Sequence, residues 1–128
     1  MKNYLQNSLR ALFVCACVFF SLPILAEQVE IDGIAYNLVY KVQEATVVAR
    51  ADGKYTGSVE IPASVVHEGV TYAVTTIGKK AFYECKDMTS VAMPNSILTI
   101  ENNAFYGCRS LTSVSVPNSV TNIDSEAF

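Results

Sequence analysis

Apolar positions recur at intervals of 23 residues through the second half of the chain. Each copy carries an isoleucine followed by an alanine–phenylalanine pair: Ile77 with Ala81-Phe82, Ile100 with Ala104-Phe105, and Ile123 with Ala127-Phe128. A fixed period of this length is typical of a solenoid, in which each unit buries its apolar face only against its neighbours. The useful property of such a stack of copies is an extended surface.

Within one copy, the pattern predicts two extended pieces and a short helical segment. Apolar and polar residues alternate over residues 111–116, which predicts a strand. Pro117 ends that strand because proline has no amide hydrogen for a continuing ladder. Residues 120–123 predict a second extended piece. Residues 100–108 place apolar side chains at i, i+4, i+5 and i+8, which predicts one or two helical turns.

The recurring apolar side chains should face the interior of the stack. The predicted structural core of the repeats is Ile77, Phe82, Cys85, Ile100, Phe105, Cys108, Ile123 and Phe128. Cys85 and Cys108 occupy equivalent positions on adjacent copies, which places them about 4.7–4.9 Å apart if the copies stack by one strand spacing. A ladder of buried thiols and a disulfide are both compatible with that separation.

The segment before the repeats has a different pattern. Residues 27–57 show no 23-residue echo, and apolar and polar residues alternate on both sides of Asp32-Gly33. Asp-Gly between such runs predicts a β-hairpin, because both residues of the tight turn need positive φ. Residues 45–49 predict a further strand. We therefore expect residues 27–57 to form a small N-terminal β cap that covers the first repeat.

The repeats occupy residues 58–128, and the first and last copies are irregular. Residues 58–65 match residues 90–97 at an offset of 32 rather than 23. The first copy therefore carries an insertion, predicted as a hairpin over residues 66–74. The last copy is incomplete, since the chain stops at Phe128 within the motif. These features predict a solenoid truncated at the C-terminus, as a fragment of a longer protein.

Residues 1–26 have the pattern of an export signal peptide. Lys2 and Arg10 precede or flank an apolar run, Pro23 breaks it, and Ala26 offers a small residue for cleavage. The run is shorter than the ~20 residues of a membrane-spanning helix, so we expect cleavage rather than anchoring, and no membrane span after removal of the signal. The two cysteines at 15 and 17 lie inside the run, which argues against a lipoprotein.

The charge of the exported part excludes some classes of partner. Seven Lys and Arg stand against twelve Asp and Glu after residue 26, with no basic stripe, so nucleic acid is not an expected partner. An anionic membrane surface is disfavoured for the same reason. His67 is the only histidine and has no nucleophile motif around it, and the carboxylates are scattered singly. We therefore expect no enzyme activity, no metal and no cofactor.

The repeat unit Ile-x-x-x-Ala-Phe-x-x-Cys-x-x-Leu-Thr-Ser-Val-x-Val-Pro-Asn-Ser-Val-Thr-x-Ile stands at residues 100–123. It resembles the BspA-type leucine-rich repeats of bacterial surface proteins. Gly107-Cys108 matches a Gly-Cys pair common in that family, and Glu84-Cys85 departs from it at the glycine. The stretch from Asp32 to Leu38 is similar to the family as well. The resemblance implies a leucine-rich-repeat solenoid, mostly β with short helical turns, behind a small N-terminal β cap.

The same resemblance implies a secreted or cell-surface protein for macromolecular recognition or adhesion, with no catalytic activity in the repeat itself. A protein ligand, from a host or another cell surface, is expected before a glycan. The candidate partner-binding residues are the exposed strand positions of a concave face: Ser58, Glu60, Ser90, Ala92, Ser113 and Ser115. Tyr83 and Tyr106 are equivalent and should stack, either as a packing ladder or as binding aromatics. The alternative is a non-binding structural cap or stalk that displays a further C-terminal domain.

Overall fold

The structure is a computed structural model that describes residues 26–128. The export signal predicted over residues 1–26 lies outside the described residues, apart from its last position. Two sheets contain the strands of the described part. The strands are β1 (Glu27–Ile31), β2 (Ile34–Val39), β3 (Glu44–Val48), β4 (Gly57–Glu60), β5 (Ser64–His67), β6 (Val70–Ile77), β7 (Met88–Ala92), β8 (Thr99–Ile100) and β9 (Asn122–Ile123).

Strands β1 to β3 form an antiparallel meander ahead of the repeats. Ile31 pairs with Ile34 across a two-residue turn, and Asp32 (φ 50°) and Gly33 (φ 80°) both have positive φ there. The predicted hairpin at Asp32-Gly33 is therefore confirmed, for the reason that a tight turn between twisted strands requires this conformation. Strand β2 then pairs antiparallel with β3.

The repeats add their strands in parallel to this meander. Val47 of β3 pairs with Ile77 of β6, Ile77 with Ile100 of β8, and Ile100 with Ile123 of β9. The last two steps join equivalent positions of consecutive copies, so the 23-residue period of the sequence is the register of the ladder. Each copy is thus bonded to the copy before it through its backbone.

The second sheet and the insertion also follow the sequence pattern. Strand β4 pairs parallel with β7, with Ser58 opposite Ser90, which is the alignment that the 32-residue offset predicts. The insertion forms an antiparallel hairpin of β5 and β6. Its turn lies at Glu68 (φ 49°) and Gly69 (φ 79°). The hairpin prediction is confirmed, and β6 runs on to Ile77 to join the ladder.

The phenylalanines form a column through the stack of copies. The rings of Phe82 and Phe105 are 5.1 Å apart and inclined by 12°, and those of Phe105 and Phe128 are 5.3 Å apart and inclined by 8°. Tyr55 covers the Phe82 ring at 4.8 Å. Burying one such side chain stabilises a protein by about 1.5–3 kcal/mol, and each aromatic pair adds about 0.5–1.5 kcal/mol. The column is therefore a main link between copies.

The helical turns predicted for residues 100–108 and their equivalents are wrong, since residues 26–128 contain no helix. The amide of Ala104 bonds to the Glu101 carbonyl only three residues back, whereas the amide of Phe105 donates to the Ala127 carbonyl of the next copy at 2.7 Å. Asn103 has a φ of 54°, which a right-handed helix excludes. Three-residue turn bonds and bonds to the neighbouring copy therefore take the place of helical bonding in this segment.

Residues 111–116 also differ from expectation, because they form no strand although their equivalents form β7. No ladder bond to these residues is found within the described part, and a strand persists only where its backbone has a bonded neighbour. Ile123 and Phe128, expected in the core, are 49 % and 53 % exposed. Phe105 covers the Phe128 ring from one side only.

The remaining predicted core positions are buried or half-buried. Cys108 is half-buried. The buried members of the set are Ile77, Phe82, Cys85, Ile100 and Phe105. The interior of the stack is thus built from the apolar residues that recur in the sequence.

Tyr55 ties the meander to the repeats. Its hydroxyl accepts a hydrogen bond from the Ala35 amide at 3.0 Å and donates one to the Val48 carbonyl at 2.7 Å. Burial raises the pKa of Tyr55 from 10.0 to about 12, against the opposing effects of the Ala35 bond and of Arg50. Because the folded protein favours the neutral phenol, this contribution to stability is complete below pH 10 and is lost as the pH rises through about 12.

Replacing Tyr55 by Phe should lower the free energy of unfolding at pH 7 by about 1–3 kcal/mol, since it leaves the buried Ala35 amide and the half-buried Val48 carbonyl without this partner. The decline in stability of the parent chain between pH 10 and pH 12 should become shallower in the variant. Urea unfolding at pH 7, 9 and 11 measures both effects. Tyr40→Phe is the matched control, because Tyr40 is 69 % exposed, and it should change neither. Equal stability of Y55F and Y40F would contradict the assigned role of the Tyr55 hydroxyl.

Candidate recognition surface

Strand β4 alternates between buried and exposed side chains from Ser58 to Glu60, and β7 does so from Ser90 to Ala92, after a register irregularity that leaves Thr89 exposed as well. Val59 and Val91 point inwards and are buried, which fixes the other positions on the outer side of the sheet. The exposed positions are Ser58, Glu60, Ser90 and Ala92. The parallel register places Glu60 opposite Ala92, and Ser90 Oγ donates a hydrogen bond to Ser58 Oγ at 2.8 Å. The result is a flat surface of mainly small side chains over an apolar layer.

Ser113 and Ser115 are the equivalents of Ser90 and Ala92 in the next copy, and both are exposed. They lie in the segment 111–116, which is not a strand. The six predicted positions thus share exposure, while four of them lie on bonded strands. We call the surface of Ser58, Glu60, Ser90, Ala92, Ser113 and Ser115 the strand face.

Polar side chains that the sequence reasoning missed fasten one copy to another. Ser96 Oγ donates to the Val74 carbonyl at 2.6 Å, and its equivalent Ser119 donates to the Ile97 carbonyl at 2.7 Å. The recurrence of Pro-Asn-Ser in the sequence is the signal that could have revealed them. These bonds give partners to a backbone carbonyl of β6 and to the equivalent carbonyl of the next copy, and so fasten each Pro-Asn-Ser turn to the copy before it.

Tyr83 and Tyr106 stack on the edge formed by the turns that follow β6 and β8. Their ring centroids are 5.4 Å apart and the rings are inclined by 11°, so the predicted stacking is confirmed. Tyr106 is 45 % exposed. Two ammonium groups lie near the Tyr83 ring, that of Lys54 at 5.7 Å and that of Lys80 at 5.1 Å from its centroid. The turn edge is therefore a second surface, aromatic and positively charged.

Positive φ recurs on this edge with the period of the repeat. Lys80 (57°), Asn103 (54°) and Glu126 (56°) are equivalent, and so are Glu84 (52°) and Gly107 (75°). Glycine adopts this conformation without the steric cost that a Cβ atom imposes. The departure from glycine at Glu84 is therefore a local strain in the second turn position of one copy.

Cys85 and Cys108 are both free thiols in the structure. Cys108 Sγ donates to the Phe82 carbonyl at 3.0 Å. Burial raises the pKa of both thiols, which lowers their reactivity as nucleophiles. Of the two alternatives that the sequence leaves open, the structure has free thiols at both positions, Cys85 buried and Cys108 half-buried.

His67 and the acidic side chains of the described part are dispersed over its surface and strands. His67 lies on β5 with its Nε2 atom 3.7 Å from Glu27 Oε2. Among residues 26–128, no three His, Cys, Asp or Glu side chains gather as a metal ion would require. In the same part of the chain, no helix has the length and apolar character to cross a membrane. The arrangement offers extended surfaces for contact.

Comparison with known proteins agrees with this geometry. Residues 69–128 match the family model described as a BspA type leucine rich repeat region (6 copies). This match of the repeats to the BspA-type leucine-rich repeat model agrees with the resemblance of the repeat unit. No curated protein sequence matches the chain.

Three solved structures with similar folds are leucine-rich-repeat proteins. A leucine rich cell surface protein from Faecalibacterium prausnitzii A2-165 is 30 % identical, with a TM-score of 0.66 over 80 % of this chain and 27 % of its own. A protein from Bacteroides capillosus ATCC 29799 is 27 % identical, with a TM-score of 0.61 over 77 % of this chain and 88 % of its own. One from Bacteroides ovatus ATCC 8483 is 24 % identical, with a TM-score of 0.56 over 78 % and 32 %. This chain spans less than a third of the first of them.

Replacing Glu84 by Gly should raise the free energy of unfolding by about 0.5–1 kcal/mol, because glycine removes the Cβ from a position of positive φ. Gly107→Ala should lower it by about 1–2 kcal/mol, since an added Cβ would lie 3.1 Å from Glu84 Cγ at a φ of +75°. Glu84→Gln removes the exposed ion pair with Lys86 and keeps the Cβ, so it should be nearly neutral. Urea unfolding of the three variants measures these changes. A G107A chain as stable as the parent would contradict the conformational assignment.

Proposed function

We propose that this chain is part of an exported cell-surface protein that recognises macromolecules, with the strand face as its contact surface and a protein as its partner. Residues 1–26 direct export, residues 27–57 form the β cap, and residues 58–128 belong to a leucine-rich-repeat solenoid. The observation that carries this proposal is the exposed, bonded strand surface of small side chains on β4 and β7.

Two properties of the strand face support contact with a partner. Small side chains leave hydroxyl and backbone groups within reach of an approaching surface, and Ser58 and Ser90 already share a hydrogen bond. Beneath them, Val59 and Val91 are buried, so the face is held by a packed layer. A surface that is ordered before binding loses less conformational entropy on association.

The comparisons support a surface location and a binding role. The Faecalibacterium prausnitzii protein is described as a cell surface protein, and the BspA-type repeat family is generally non-enzymatic. The described residues supply no gathered set of catalytic side chains that would argue for chemistry instead. Adhesion to a protein on another cell is the form of recognition that these features favour.

The proposal is tested with a labelled form of the chain applied to cultured epithelial cells. Changing Ser90 and Ser113 together to Arg should weaken saturable binding at least tenfold, because two long charged side chains would cover the strand face. Ser64→Arg is the matched control, since Ser64 is an exposed serine on β5 in the other sheet, and it should bind like the parent. Circular dichroism should be the same for all three proteins.

Treatment of the cells separates a protein partner from a glycan. Prior digestion with a protease should abolish binding, while digestion with glycosidases should leave it unchanged. Undiminished binding of the S90R/S113R chain would exclude the strand face as the contact surface. Absence of saturable binding by the parent would favour the structural cap or stalk.

A further inference from the structure

The turn edge combines stacked tyrosines with lysines that form no salt bridge within residues 26–128. Tyr83 and Tyr106 form its aromatic part, with ring centroids 5.4 Å apart. Lys54 Nζ donates to the Tyr83 carbonyl at 2.6 Å, which holds one ammonium group beside the rings. Lys80 Nζ lies 5.1 Å from the centroid of Tyr83. Each ammonium has three donors, so Lys54 keeps donors for a further acceptor.

Two other basic side chains of this region, unlike Lys54 and Lys80, form ion pairs with carboxylates. Arg50 pairs with Glu30 at 3.4 Å and with Asp52 at 3.2 Å, and Lys86 pairs with Glu84 at 3.6 Å. Within residues 26–128, the salt bridges do not include Lys54, Lys79 or Lys80. Glu101 lies nearby, but its carboxylate accepts the backbone amide of Lys79 at 2.7 Å. Lys54, Lys79 and Lys80 therefore outnumber the single carboxylate of Glu101 beside them, which leaves net positive charge on one edge of an otherwise acidic chain.

We propose that the edge of Lys54, Lys79, Lys80, Tyr83 and Tyr106, the lysine–tyrosine edge, binds an acidic segment of a partner protein. It is separate from the strand face, so this inference goes beyond the proposed function and stands or falls independently of it. Aromatic side chains are enriched in protein interfaces, and complementary charge steers and orients association. The lysine–tyrosine edge supplies both aromatic side chains and positive charge within a short distance.

The geometry favours a peptide over a sugar as occupant. One face of the Tyr83 ring is covered by Tyr106, and the ammonium groups of Lys54 and Lys80 lie 5.7 and 5.1 Å from the ring centroid. Tyr83 therefore offers no clear face for a sugar ring. The Nζ atoms of Lys54 and Lys80 can be no further apart than the sum of their distances to the Tyr83 ring centroid. Alternate side chains of an extended peptide are about 6.6–7 Å apart, so two carboxylates of one acidic segment can reach both.

The test uses a fluorescent hexaglutamate peptide as probe, followed by anisotropy at low and high salt. The double variant Lys79→Asn with Lys80→Asn installs the residues that the next copy carries at Asn102 and Asn103. The change keeps the backbone, since φ is 57° at Lys80 and 54° at Asn103. Lys41→Asn is the matched control for loss of charge, because Lys41 lies on the turn between β2 and β3, away from the edge.

The parent chain should bind hexaglutamate, and the K79N/K80N chain should bind it roughly tenfold more weakly, as expected for the loss of exposed ion pairs. Binding of the parent should also fall as salt is raised, and K41N should bind like the parent. Hexaglutamine should not bind. Equal affinity of the double variant and the parent would overturn the proposal, as would no binding of hexaglutamate by the parent. Tighter binding of a heparin fragment than of hexaglutamate would overturn the assignment to a peptide.

Discussion

The register between copies is the constraint on which the rest of the structure depends. Backbone bonds join Ile77 to Ile100 and Ile100 to Ile123 in parallel, and this step places Phe82, Phe105 and Phe128 in one column. Neither feature forms without the other, since a slip of one residue would turn the apolar side chains outwards. The strand face and the turn edge are both consequences of that register.

The sequence predicts this register because the same side chain types recur at a fixed interval. The hairpin at Asp32-Gly33 could be predicted as well, since a two-residue turn has few solutions. The turns over residues 100–108, where the pattern predicts a helix, could not be predicted, because the i, i+4 spacing of the apolar side chains suits consecutive turns as well. Two features select turns over a helix: the backbone bond from Phe105 to the next copy and the positive φ of Asn103. Both arise only when copies stack.

The candidate surfaces could be predicted only in part. Alternation predicts the exposure of Ser58, Glu60, Ser90 and Ala92 but not that of Thr89. The equivalence of Tyr83 and Tyr106 predicts their stacking. The approach of Lys54 to Tyr83 could not be predicted, because Lys54 precedes the repeats and shares no period with them. Substitutions at equivalent positions, such as Lys80 against Asn103, make one edge of the stack positive while the fold stays the same. Under the proposed function, recognition depends on how the copies differ.

A double-mutant cycle tests the phenylalanine column most directly. Phe82→Leu and Phe105→Leu, alone and combined, are compared by guanidinium chloride unfolding, with Phe82→Leu and Phe128→Leu as the control pair. Contact between rings predicts a coupling of about 0.5–1.5 kcal/mol for Phe82 with Phe105. It predicts a coupling near zero for Phe82 with Phe128, because Phe105 lies between them. Additive changes at Phe82 and Phe105, or equal coupling in both pairs, would contradict a stack of copies in register.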